Sequence, residues 1–156
     1  MKQGWKQWAG AAFLAGTSLV ATPVSARDLV AAEIHPPGHV IVQSEELLAR
    51  RLAELTKGEL TIQLKHSAQL GNEDQSWKNV RNGTLDIARV NLAALVNDVP
   101  AATLLGLPYL FRSRDHMWRV LGGDFGKRVS AEVEKTGAVV LTYYDSGTRS
   151  FYTTKK

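Results

Sequence analysis

The residues best suited to chemistry gather at a few turns. Arg149 stands directly after the tight Asp145-Ser146-Gly147 turn, which closes the apolar run "AVVLTYY". A guanidinium offers paired donors to a carboxylate or phosphate, and its charge does not titrate away. One reading makes Arg149 an anion clamp. The other makes it a structural arginine paired with Asp145 or Glu73, and position alone leaves both open. His35 and His39 stand four apart, a metal-ligand spacing on a helix. Pro36, Pro37 and Gly38 forbid that helix, so the pair reads as two loop histidines at the rim of a cleft. Ser146 lacks the flanking glycines of a nucleophile elbow, because Tyr144 and Thr148 fill those positions. The glycine-rich "GGDFGK" lies between two helical segments, where it cannot act as a phosphate-cradling loop. There is no cysteine, which removes thiolate catalysis, disulfides and cysteine metal sites. No metal or cofactor is implied, and no enzymatic activity.

The elements that must position these residues follow from periodicity. "LVAAEI" reads as a first strand, stopped by "HPPG". Ile41, Leu48, Leu52 and Leu55 form one stripe of an amphipathic helix that ends at Lys57-Gly58. "ELTIQLKH" alternates as a second strand. Asn72 is placed to cap a second helix with Glu73 and Asp74 in its first turn and Trp77 and Val80 on its buried side. "TLDIARVN" reads as a third strand and "LAALVNDV" as a short helical piece. "SRDHMWRVL" and "DFGKRVSAEVEKTG" give two more helices, the latter burying Phe125, Val129 and Val133. Helical spacing places both Trp77 and Trp118 in the core. "AVVLTYY" is apolar throughout and predicts a central strand covered on both faces.

Short strands alternating with helices predict an α/β fold, an open and mostly parallel sheet flanked by helices. Ligands in such sheets bind beyond the carboxyl ends of the strands. The polar residues placed there are His35 and His39 after the first strand, Ser67, Gln69, Asn72 and Glu73 after the second, Asn91 after the third, and Asp145, Ser146, Thr148 and Arg149 after the last.

The first 26 residues stand apart. Lys2 and Lys6 precede a short apolar stretch, and "PVSA" supplies the small residues of a cleavage site, so a secretory signal peptide is expected over 1–26. Its removal takes away two lysines and no acid, and the net charge falls from +4 to +2. Nothing here forms the basic face that nucleic acid requires.

Taken together, "HPPGHVIVQ", "LAELTKGELTIQLKHSAQLGNED", "VRNGTLDIARVNLAALVNDVP", "LGLPYLFRSRDHMWRVL" and "YYDSGTRSFYTTKK" resemble the solute-binding proteins of TRAP (tripartite ATP-independent periplasmic) transporters, of the C4-dicarboxylate-binding type. The resemblance implies a periplasmic receptor of two α/β lobes that closes on a small organic acid, often a carboxylate. It implies delivery of that acid to the membrane permease subunits of a TRAP transporter. Arg149 matches the arginine of the family's "GxR" turn that lines the cleft, and Glu73, Asn91 and His35 fall near polar cleft positions. The family's second lobe, with a further carboxylate-binding arginine, would lie beyond Lys156. The expected division is a signal peptide over 1–26, a first lobe over 27–149, and the start of a crossover strand over 150–156.

Overall fold

The computed structural model describes residues 26–147, 153 and 154. The expected signal peptide, apart from Ala26, therefore lies outside the described residues, as do Arg149 and most of the expected crossover strand.

Strand β1 (Arg27–Ala32) is followed by helix α1 (Val40–Leu55), strand β2 (Leu60–Lys65), helix α2 (Glu73–Arg81) and strand β3 (Ile87–Ala88). A 3-10 turn (Leu92–Leu95) and helices α3 (Pro100–Leu105), α4 (Arg114–Gly122) and α5 (Asp124–Glu134) complete the order. The sheet is wholly parallel, with strand order β2-β1-β3. β1 pairs with β2 from Arg27↔Leu60 to Ala32↔Lys65 and meets β3 only at Ala31↔Ile87 and Ala32↔Ala88. The expected third strand is thus two residues long rather than eight.

Local signals set the helix ends. Asn72 accepts from the Gln75 N–H, and the Gln75 side chain accepts from the Asn72 N–H, a reciprocal capping box that fixes the start of α2. His39 caps α1 by accepting from the Ile41 N–H. α1 ends where Lys57 and Gly58 both take left-handed backbone (φ 51° and 84°). At the joint between α4 and α5 a side chain on Gly126 would place its Cβ 1.8 Å from the Leu121 carbonyl oxygen, so only glycine lets the helices approach this closely.

The core gathers away from the sheet edge. Trp77 of α2, Leu95, Val99, Ala102, Leu105, Val129, Val133 and Ala138 are buried together. The Trp77 indole donates to Asp98, which also pairs with Arg81. Trp118 is 41% exposed and takes no part in this cluster, contrary to its spacing. The α1 stripe is corrected too. Ile41 and Val42 are buried, whereas Leu48 and Leu55 are exposed, because among the described residues α1 packs chiefly on β2 and Leu55 is its last residue.

The run 138–144 is the largest departure. It forms no paired strand, only Ala138 in it is buried, and Val139 and Leu141 are 68% and 70% exposed. The central strand expected there needs a neighbour on each side. β3 is only two residues long, and 138–144 remains irregular backbone.

Candidate functional site

The site is built at the carboxyl ends of β1 and β3. Glu33 follows the last residue of β1, and its side chain is wholly buried. Arg89 follows β3, with its backbone N–H donating to the Ala32 carbonyl at 3.2 Å. This register sets the two side chains face to face. Arg89 Nε donates to Glu33 Oε2 and Nη2 to Oε1, each at 2.8 Å, a bidentate pair. The third arm, Nη1, donates to Glu73 Oε1 at 2.6 Å. Glu73 opens α2, so the second helix is tied to the sheet through this guanidinium.

The remaining bonds close the network. Glu33 Oε1 accepts from the His35 backbone N–H at 2.8 Å and meets His35 Nδ1 at 2.6 Å. The same Nδ1 lies 2.8 Å from Arg89 Nη2; it donates to the carboxylate in one tautomer and accepts from the guanidinium in the other. His35 stacks on His39 with ring centroids 3.9 Å apart. Glu73 Oε1 also accepts the Asn91 N–H, and Asn91 Oδ1 accepts from the Ala93 N–H. Burial pushes the Glu33 carboxyl up. The Arg89 and His35 bonds and the Arg89 charge outweigh it and hold the group at about 2.

Three of the four residues singled out from the sequence, His35, Glu73 and Asn91, therefore meet around one arginine. That arginine is Arg89, which the sequence reading did not name, and neither did it name Glu33. The signal was available. Glu33 in "LVAAEI" and Arg89 in "LDIARVN" are charges inside apolar segments, and a charge there demands a partner. Arg149, the fourth, lies outside the described residues. Of the two structural partners suggested for it, Asp145 pairs with Arg114 at 2.7 Å and Glu73 with Arg89.

This cluster faces an open cleft of about 1700 Å³. Glu45, Glu73, Arg89 and Asn91 line its polar side. Leu107, Tyr109, Leu141 and Tyr144 add an apolar lining, and the Asp145-Ser146-Gly147 turn reaches the cleft. Gly147 takes the left-handed backbone that the turn requires (φ 84°), and its N–H donates to Asp145 Oδ1. Among the described residues no cluster of histidines and acids could hold a metal ion.

Residues 31–156 match the family described as bacterial extracellular solute-binding protein, family 7. The chain belongs to that family. A solute-binding protein of Chromohalobacter salexigens is 36% identical over 121 residues, which is 78% of this chain and 36% of the relative. The sialic acid-binding periplasmic protein SiaP of Vibrio cholerae is 33% identical over 113 residues, 72% of this chain and 35% of its own length. Among solved structures, a TRAP periplasmic solute-binding protein of Roseobacter denitrificans with bound β-D-glucuronate superposes with a TM-score of 0.78 at 36% identity. It covers 83% of this chain and 43% of the other. A TRAP protein of Bradyrhizobium with bound galacturonate gives 0.78 at 37% identity with the same coverage. This chain thus spans about a third of its curated relatives and about two-fifths of the solved ones. The family is one of solute-binding proteins, and the parallel sheet described above is the fold this chain shares with its solved relatives.

Proposed function

We propose that residues 27–149 form the first lobe of a periplasmic receptor for a small organic acid, which it hands to the membrane permease subunits of a TRAP transporter. Residues 1–26 direct export, and residues 150–156 lead out of the lobe. The observation that carries this reading is the prebuilt polar floor at the carboxyl ends of the strands, where Arg89 holds Glu33 and Glu73 beside an open cleft. A floor already bonded in the free protein needs no reorganisation when a ligand arrives.

Arg149 is the ligand's carboxylate partner in this reading. It follows the turn at the cleft edge by two residues, a reach of roughly 7 Å along the chain. Glu73, Asn91 and His35 line or brace the site, with His35 acting through Glu33. A single charged hydrogen bond contributes about 1.5–3 kcal/mol, and millimolar binding corresponds to about 4 kcal/mol. One lobe therefore binds weakly.

Ligand-detected NMR titration of the chain with galacturonate, glucuronate, succinate and neutral galactose is the test. The acids bind with Kd of about 1 mM and galactose does not. Arg149→Ala weakens the acids at least about ten-fold, and Arg149→Lys restores only part, because an ammonium lacks the planar fork. Equal binding of galactose and galacturonate, or no acid binding at tens of millimolar, refutes the reading.

A further inference from the structure

Three carboxylates surround one guanidinium: Glu45 and Glu73 line the cleft with Arg89, and Glu33 lies sealed beneath it. All three nitrogens of Arg89 are committed, Nε and Nη2 to Glu33 and Nη1 to Glu73. Glu45, from the second turn of α1, lines the same cleft and is left over. Its Oε2 is buried and has no hydrogen-bond partner. A buried polar oxygen without a partner is costly, and a fold retains one where something else satisfies it.

We propose that Glu45 is a specificity-determining residue that bonds a hydroxyl of the ligand, so that this cleft selects hydroxylated acids over plain dicarboxylates. The inference rests on the reading of the cleft as an organic-acid site. A ligand carboxylate does not belong against this floor, where Glu33, Glu73 and Glu45 outnumber Arg89. A hydroxyl does, because it can donate to a carboxylate and accept from a carboxylic acid. The terminal torsion of Glu45 is soft, so either oxygen can turn to the incoming group.

The ionisation of Glu45 fits this role. Burial first, and then the charge of Glu33, push its carboxyl up to about 7 against the opposing pull of Arg89. Glu33 and Arg89 face it from the ends of β1 and β3. Tyr144 lines the same cleft, and its phenol is itself raised by burial and by the charges of Glu45 and Glu33. Glu73 lines the same cleft from α2, and His35 and His39 stand beside Glu33. An anionic ligand adds further repulsion, so binding draws a proton onto Glu45. Affinity is then higher below about pH 7 and falls as pH rises through it.

The test titrates glucuronate and succinate into the chain and into Glu45→Ala and Glu45→Gln, with ligand-detected NMR as readout and thermal melting as a check on folding. In the parent, glucuronate binds more tightly than succinate. Glu45→Ala cuts that preference roughly ten-fold while leaving succinate within about two-fold. Glucuronate affinity of the parent falls between pH 6 and pH 8. Glu45→Gln abolishes that fall, which separates Glu45 from the neighbouring imidazoles. If both acids bind but Glu45→Ala weakens them equally or neither, or if the pH dependence survives in Glu45→Gln, the inference is overturned and the organic-acid reading stands. If neither acid binds the parent, both are overturned.

Discussion

The two walls of the cleft are made in opposite ways. The wall at the strand ends is finished except at Glu45: Glu33, Arg89, Glu73, His35 and the Asn91 backbone are bonded to one another, and the Glu33 side chain is sealed from water. The apolar wall is open. Leu107 and Leu141 are 48% and 70% exposed, Tyr109 is 90% exposed, and the backbone of 138–147 belongs to no sheet. Charge must be paired wherever it is buried, so the polar wall is rigid by necessity. Apolar side chains have no such demand and can wait for a surface to cover them.

The sharpest way to break this contrast is to damage the finished wall. Arg89→Ala strands Glu33 as a buried, unpaired carboxylate and lowers unfolding free energy by about 3–5 kcal/mol in urea titrations. Adding Glu33→Gln to that variant recovers part of the loss, since the stranded charge is gone. The same pair gives an acid limit. Glu33 is held at about 2, below its ordinary 4.5, so its contribution is full above pH 4.5 and disappears as pH falls through 2. Glu45, raised to about 7, has the opposite sign: stability is greatest below 4.5 and is lost as pH rises through 7. Stability measured against pH in Glu33→Gln loses the acid limb, and in Glu45→Gln it loses the limb near neutrality.

A change outside both walls gives an intermediate effect. Gly126→Ala drives a methyl group into the Leu121 carbonyl at the α4–α5 joint and costs about 1–3 kcal/mol by thermal melting. The open wall gives the smallest effect on folding. Leu141→Ser changes stability by less than about 0.5 kcal/mol, yet sedimentation shows less self-association than in the parent, because it removes part of an exposed apolar surface. A loss near that of Arg89→Ala would mean that the open wall is part of the core after all.

Legibility from sequence followed the same divide. Local signals were readable: Asn72 did cap α2, Gly58 and Gly137 did end helices with left-handed backbone, and the β-α-β-α-β order held. His35, Glu73 and Asn91 were placed at the strand ends and meet there. The centre they meet around was not read, because Glu33 and Arg89 lie 56 residues apart and only the β1–β3 register joins them. The run 138–144 misled for a related reason. Its composition says strand, but a strand exists only if a neighbour pairs with it, and pairing is a property of the sheet. Trp118 and Leu55 misled because periodicity reports which face could be buried, not whether anything covers it.

The central claim is that the strand ends and the 145–147 turn together form an organic-acid site. Backbone amide mapping by NMR with galacturonate tests it most directly. The account predicts concentration-dependent shifts at Arg89, Asn91, Ala93 and Tyr144 to Gly147, with the far side of α5, at Lys127 and Glu134, unmoved. Shifts centred on α5 or spread evenly over the chain, or none at these residues while the acid binds, would contradict it.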